Sequence, residues 1–342
     1  DSLLGGAGND NIVADGGADT VIGEDGNDLL DGGDASDLLT GGAGNDTVLA
    51  SGGADFVTGG RGADRLDGGG DVDTLDYSGL GAGARIVVAL PQGRVVKTIG
   101  SATEVDTVQN FENLIGTAGD DRFVGSDGEE TFYGGLGNDT IDGGGGFDVA
   151  RYDFISAFAV IADLTTGIVL DDRGGVDHLV LEAANNSSIE MLIGGSGADS
   201  LVGDIDDNIF RGNFGADTLD GGAGFDFADW SGDLDFNGDG FGVIANLGAT
   251  PLVLAGWGSE TEGGVTVEGG TARDSWGRTD VLLRIEALRG TGAADLLVGS
   301  DGENRFRGMQ GADSIDGGLG YDYVSHRSDL DANGDGIGVI VN

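Results

Sequence analysis

Sixty-one acidic residues dominate the chemistry available to this 342-residue chain, and eight of them keep a strict interval. Asp10, Asp19, Asp28, Asp37, Asp46, Asp55, Asp64 and Asp73 recur every nine residues without one insertion. A carboxylate is a hard oxygen donor, and convergent carboxylates hold hard divalent cations. If two nonapeptides complete one coil, like-placed aspartates recur every 18 residues. They would then stack at the spacing of paired strands, about 4.8 Å. Asp10 faces Asp28, and Asp28 faces Asp46. Each such pair repels by roughly 0.9 kcal/mol in water, and by more where partly buried. Ca²⁺ bonds oxygen at about 2.3–2.6 Å in shells of six to eight, so it fits between two such carboxylates, with turn carbonyls completing the shell.

The elements that must position these groups are legible in the same register. The eighth place of each nonapeptide is aliphatic: Ile12, Val21, Leu30, Leu39, Val48, Val57, Leu66 and Leu75. Glycine fills most of places one, two and four, as in Gly5-Gly6-Ala7-Gly8-Asn9-Asp10. Glycine at fixed places marks backbone at positive φ or in close approach. Each unit therefore reads as a turn followed by a short strand whose eighth residue points inward. A period this strict means a stacked fold in which each repeat contacts its neighbours. One aliphatic side chain per nonapeptide makes a thin core, which burial alone would hardly hold.

The repeat resembles the RTX (haemolysin-type calcium-binding repeat) family, whose motif is G-G-x-G-x-D-x-U-x with U apolar. Gly41-Gly42-Ala43-Gly44-Asn45-Asp46-Thr47-Val48 and Gly134-Gly135-Leu136-Gly137-Asn138-Asp139-Thr140-Ile141 match it outright. Elsewhere Ala14-Asp15 and Ala50-Ser51 replace the glycine pair, and Asp71 the fourth-place glycine. The resemblance implies an all-β, calcium-binding parallel β-roll (a β-solenoid), from a bacterial protein exported unfolded by type I secretion and folded outside the cell in calcium.

The formal charge of −45 makes a cation-free chain repel itself. Pairing Asp or Asn residues 18 apart, Asp1 with Asp19 included, gives about 13 potential calcium sites, whose ions would cancel over half of that excess. Lys97 is the only lysine, and without a basic patch nucleic acid is excluded as a partner. No cysteine is present for disulfides or thiolate metal sites. No apolar run could span a membrane as a helix. Both ends read as cutting through repeats, which suggests a fragment flanked by further repeats of the same protein.

Residues 1–76 form a first roll, and four-nonapeptide blocks follow at 116–151, 194–229 and 290–325. They carry Asp121, Asp139 and Asp148; Asp199, Asp217 and Asp226; and Asp295, Asp313 and Asp322 as candidate calcium ligands. Inserts occupy 77–115, 152–193, 230–289 and, truncated, 326–342. They open on Tyr77, Tyr152, Trp230 and His326, and the complete ones close on Glu-x-Leu at Glu112, Glu190 and Glu286. Each is expected to supply extra strands, either as small β lobes flanking the roll or as bulges in a continuous solenoid. In the second nonapeptide of each short block, Glu130, Asn208 or Asn304 takes the sixth place, and Phe132, Phe210 or Phe306 follows two residues later. Two readings stay open there: a modified calcium site, or a wider coil that houses Phe and shifts the ligand outward.

A second kind of loop recurs in the last two inserts. Asp233, Asp235, Asn237 and Asp239, and then Asp329, Asp331, Asn333 and Asp335, place oxygens at positions 1, 3, 5 and 7 of an EF-hand-like run, with glycine at 6. Position 12 is Ile244 or Ile340 instead of the bidentate Glu, so a further segment would have to complete each site. No catalytic constellation emerges: His178 and His326 are the only histidines, and neither G-x-S-x-G nor H-E-x-x-H occurs. Trp230, Trp257 and Trp276 all fall in the third insert, where they either pack or stack on sugars. The sequence thus points to a non-enzymatic, calcium-dependent, extracellular structural segment of a surface layer, filament or adhesin, with self-association or cell-surface glycan as partners. A folding and secretion module of an exported hydrolase or toxin, and a carbohydrate-binding module, are the alternatives.

Overall fold

The computed structural model describes residues 1–153, 159–171, 175–183, 186–233, 241–254, 265–325 and 340–341. They fall into two compact units, Asp1–Phe154 with Arg173–Glu182, and Ile155–Asp172 with Ala183–Asn342. Among the described residues every regular element is a strand, apart from short 3₁₀ turns such as Ser78–Leu80 and Leu90–Gln92.

In the first unit, Ser2–Ala7, Thr20–Asp25, Leu38–Ala43, Phe56–Arg61 and Thr74–Asp76 stack in parallel as one face. Asn11–Val13, Leu29–Asp34, Thr47–Gly52 and Arg65–Asp67 stack as the other. Val21 pairs with Leu39, and Leu30 with Val48, so two nonapeptides make one coil and partners stand 18 residues apart. The eighth-place side chains from Val21 to Leu75 point between the faces and are fully buried. This is the parallel β-roll that the repeat implies.

The turns explain the glycines. Place two of every nonapeptide in the first roll lies at positive φ, from Gly6 at 96° to Gly69 at 98°, and so does place four, from Gly8 at 124° to Gly62 at 118°. At Gly44 the demand is absolute, because a Cβ there would run into the Gly26 carbonyl of the coil before. Where other residues stand in these places of the first roll, the backbone does not relax. Asp15, Glu24 and Ser51 hold φ of 67°, 74° and 79° at place two, and Ala35 and Asp71 hold 85° and 76° at place four. The stacking of neighbouring coils dictates the conformation, and these residues bear the strain.

The first insert is spliced into one face of the roll. Ala102–Gln109 continues the parallel ladder from Arg65–Asp67, runs antiparallel to Arg94–Ile99 and then Arg85–Ala89, and the last pairs in parallel with Arg122–Val124. On the opposite face Asn113–Ile115 bridges Thr74–Asp76 and Thr131–Tyr133 in parallel. The described strands therefore fit the continuous solenoid with a bulging insert, and no separate lobe interrupts it here. The second unit repeats the device. Thr279–Leu283 continues Thr218–Asp220, runs antiparallel to Thr271–Arg273 and then Phe241–Asn246, and the last pairs with Ala294–Val298. Phe227–Asp229, Ala287–Arg289 and Arg305–Arg307 keep the opposite face continuous. A small hairpin, Leu252–Leu254 with Val265–Val267, packs its apolar side on Ile244.

Candidate metal centre

The strand register stacks the sixth-place aspartates into two columns. The N–H of each donates to the carboxylate of the next coil: Asp10 to Asp28 Oδ1 at 2.8 Å, Asp28 to Asp46 at 2.8 Å and Asp46 to Asp64 at 3.0 Å. Asp19, Asp37, Asp55 and Asp73 form the second column in the same way. One oxygen of each carboxylate after Asp10 is thus spent on the fold. The other is left over: Oδ2 of Asp10, Asp19, Asp28, Asp37, Asp46, Asp55 and Asp73 is buried with no hydrogen-bond partner. Buried carboxylate oxygens without partners are costly, and here they recur once per nonapeptide. Burial pushes Asp46 up to about 6 and Asp73 up to about 7, with the stacked carboxylates adding to the rise and backbone N–H donors opposing it.

Main-chain oxygens stand beside these orphans. A Cβ on Gly41 would meet both Asp46 Oδ2 and the Gly59 carbonyl at 2.6 Å, and one on Gly5 would meet Asp10 Oδ2 at 2.9 Å and the Gly23 carbonyl at 2.8 Å. Among the described residues no three acidic or imidazole side chains gather into one metal-sized group. Each step of the column offers two carboxylates and turn carbonyls instead, a purely hard-oxygen set of the kind Ca²⁺ takes. One step already holds a cation of the protein's own. Lys97 Nζ lies 2.9 Å from Asp64 Oδ2, 2.8 Å from Asp106 Oδ1 and 2.8 Å from the Gly60 carbonyl. These are the sixth place of one coil, the sixth place of the next, and the second-place carbonyl of the first. By register the same oxygens at the neighbouring step belong to Asp46, Asp64 and Gly42. The residues therefore fit a calcium ion, which when bound would supply the positive charge that offsets the stacked carboxylates and ties one coil to the next.

The structure adds acidic groups that the nine-residue period does not reveal. Across the first insert, the Asp64 N–H donates to Asp106 Oδ1 at 2.9 Å and the Asp73 N–H to Glu112 Oε2 at 2.9 Å. Asp177 takes the Asp139 N–H at 2.8 Å, Asp280 takes that of Asp217 at 3.0 Å, and Glu286 takes that of Asp226 at 3.1 Å. All five occupy sixth-place positions whose glycine half is missing. The sequence signal was present as Asp-x-aliphatic in Asp106-Thr107-Val108, Asp177-His178-Leu179 and Asp280-Val281-Leu282, and as Glu-x-Leu. The aromatic that opens the insert serves this position: Tyr77 Oη donates to Asp106 Oδ2 at 2.9 Å, and Trp230 Nε1 to Asp280 Oδ2 at 3.3 Å.

The short blocks divide into two kinds of turn. In the later nonapeptides, Asp139, Asp217 and Asp226 keep a buried, unpartnered Oδ2, as does Asp199 near the start of its block. Burial, followed by the neighbouring carboxylates, pushes Asp139 and Asp217 up to about 8. Asp148 and Asp322 accept the N–H of Glu130 at 2.8 Å and of Asn304 at 3.1 Å. Asp121 and Asp295 differ. The Thr117 N–H donates to Asp121 Oδ2 at 2.5 Å and its hydroxyl to Oδ1 at 3.0 Å; Thr291 does the same to Asp295 at 2.8 and 2.9 Å. Ser126 caps Glu130, and Ser300 caps Asn304, in the same manner. Glu130, Asn208 and Asn304 remain buried, at 4%, 1% and 0% exposure, so the adjoining Phe132, Phe210 and Phe306 do not shift them outward. Place two of the turn holds them in.

Of the EF-hand-like runs, Asp233 alone is described: it is buried with an unpartnered Oδ2, and burial together with Asp274 and Asp280 pushes it up to about 8. Asp235, Asn237, Asp239, Asp329, Asp331, Asn333 and Asp335 lie outside the described residues, as do His326 and Trp257. Trp230 is buried, and Trp276 packs edge-on to Phe214 with ring centroids 5.3 Å apart.

No curated protein matches the chain. The family of RTX calcium-binding nonapeptide repeats, defined in four-copy units, matches residues 4–39, 13–48, 40–75, 115–150, 193–228 and 289–324. The matched segments are the stretches in which the aspartate columns stand, and they cover more than half of the 342 residues. Repeat register, parallel coils and paired carboxylates agree, and the chain belongs to the RTX calcium-binding nonapeptide repeat family and is a calcium-binding β-roll.

Proposed function

We propose that this chain is a calcium-folded structural segment of a secreted, extracellular bacterial protein such as a surface layer, filament or adhesin, and that it has no catalytic role. The observation that carries the reading is the column of buried, unpartnered Oδ2 atoms, one per nonapeptide through the first roll with a single exception. Without cations those carboxylates oppose stacking; with calcium between them they clamp it. Because the oxygens converge only in the folded coils, binding free energy becomes folding free energy. Low calcium keeps the chain extended and exportable, and extracellular calcium closes the roll. Structural use is supported by the way the first and third inserts preserve the parallel ladder of their units. Trp230, buried against Asp280, is withdrawn from the carbohydrate-binding alternative.

Circular dichroism with light scattering, in chelator and then across a calcium titration, tests the reading. Cooperative gain of β structure with calcium, followed by ordered oligomers, is the expected result for a lattice or filament. A calcium-folded chain that stays monomeric favours a folding and secretion module instead. β structure indifferent to calcium would sink the proposal.

A further inference from the structure

We propose that the side chain of Lys97 is the permanent occupant of one cation site, so that the step between Asp64 and Asp106 takes no calcium. The inference rests on the calcium reading above. Lys97, on the insert strand Arg94–Ile99, is fully buried. An ammonium has three donors, and here three oxygens receive them: Asp64 Oδ2 at 2.9 Å, Asp106 Oδ1 at 2.8 Å and the Gly60 carbonyl at 2.8 Å. Tyr77 donates to the remaining Asp106 oxygen at 2.9 Å. Both carboxylates are thereby satisfied, and Asp64 is the one sixth-place aspartate of the first roll whose Oδ2 is not left over.

The third insert supplies the internal control. Its Asp217–Asp280 step is built alike, with the Asp217 N–H on Asp280 Oδ1 at 3.0 Å and Trp230 in the role of Tyr77. The strand Thr271–Arg273 takes the place of Arg94–Ile99 in the antiparallel ladder, yet Asp217 Oδ2 stays unpartnered. The chain has no second lysine to send there. The first insert thus delivers a tethered cation at the point where roll and insert join, and that junction closes at calcium concentrations too low to fill the rest of the column.

Native mass spectrometry of the full chain at saturating calcium, with terbium luminescence excited through tyrosine, tests this. Lys97→Met empties the slot, and the expected result is one calcium more per chain than in the unaltered protein. Terbium emission should rise in K97M and fall back in K97M combined with Tyr77→Phe, because the new ion sits beside the Tyr77 ring. In the unaltered background, Tyr77→Phe should leave terbium emission unchanged; a drop there places an ion at Asp106 already and overturns the proposal. So does a K97M chain with an unchanged or lower calcium count, or one that stays unfolded at saturating calcium. Asp46→Asn, which removes a ligand from the column, separates the two claims. Loss of calcium from D46N upholds the calcium reading whatever K97M does, and a full count in D46N overturns that reading and this inference together.

Discussion

The turns of residues 5–76 and the hydroxyl-capped turns of the short blocks share one register and one carboxylate position, yet they spend that carboxylate differently. In the first roll, places two and four lie at positive φ, and Oδ2 of Asp28 or Asp46 is left for a cation. In the capped turns, Thr117 and Thr291 donate twice to Asp121 and Asp295. Asp46 has a carboxylate on both sides, Asp28 and Asp64, whereas Asp121 and Asp295 have one on one side only, Asp139 and Asp313, and on the other receive the N–H of Ile86 at 2.6 Å and of Val243 at 2.7 Å from insert strands. Such an end carboxylate belongs to one step of the column instead of two, and the N–H and hydroxyl of place two occupy its oxygens. Place two of the turn makes the difference: Asp199 also receives an insert-strand N–H, from Val160 at 2.6 Å, but has Gly195 at place two and keeps an unpartnered Oδ2. Counting aspartates therefore overcounts cation sites. Place two of the turn and the neighbouring coil decide.

The hardest blow to this comparison would come from the charge itself. Asp46→Asn keeps an acceptor for the Asp28 N–H but removes the charge shared by the steps toward Asp28 and Asp64. It should shed at least one calcium and raise the calcium midpoint of folding several-fold, since each step loses one of its two carboxylate charges. Asp121→Asn should leave the ion count where it was, with Thr47→Ala as the surface control. Equal losses from D46N and D121N would erase the distinction between the two turns.

Acidity separates the regions next. In the folded, calcium-free chain, burial first and the stacked carboxylates second raise Asp73 to about 7 and Asp139 and Asp217 to about 8. An unfolded aspartate titrates near 4. Between those values the folded state binds more protons than the unfolded one, so stability without calcium is greatest at the acid end and falls as pH rises through about 4 to 8. Circular dichroism in chelator should show more β structure at pH 5 than at pH 8. At neutral pH calcium should displace protons from the columns, so the calorimetric enthalpy of binding should vary with the ionisation heat of the buffer. A β signal that grows with pH in chelator would contradict the assignment.

Thr117→Val sharpens the capped side. The change removes the hydroxyl that bridges Asp121 and the Ala84 carbonyl, at 3.0 and 2.7 Å, and that accepts the Gly119 N–H at 3.0 Å. The expected loss is about 1–3 kcal/mol in thermal unfolding at saturating calcium, with the ion count unchanged. A lost calcium would mean that Thr117 supports a metal site.

How far the sequence foretold this molecule can be judged at particular residues. The coil length, the inward Leu30 and Val48, and the aspartate columns all follow from the nine-residue register, because stacking forces like places together. Asp106, Asp177 and Asp280 escaped it. They join the columns through parallel pairing of insert strands with the roll, across 42, 38 and 63 residues of chain. A periodic search cannot register such a partner, although the Asp-x-aliphatic triplet was there to read. Thr117 and Thr291 escaped for another reason: at place two they look like one more substitution for glycine, and their hydroxyls acquire meaning only from the φ the turn adopts.

The smallest effect concerns the positive φ of the first roll's turns. Ala35 holds place four at 85°, where its seven counterparts in the first roll are six glycines and Asp71 at 76°. A Cβ in the left-handed region costs about 1–2 kcal/mol, and glycine gives back roughly 0.5–1 kcal/mol of that through the greater freedom of the unfolded chain. Ala35→Gly should therefore stabilise the calcium-loaded roll by about 0.5–1 kcal/mol. It should do so without changing the number of ions, since Asp37 still meets Asp55 at 2.8 Å through its N–H. Thermal unfolding at saturating calcium reads the gain. If A35G instead weakens the roll, the left-handed turn is not under strain at place four, and the case that stacking imposes this turn on the non-glycine residues of the first roll loses its support.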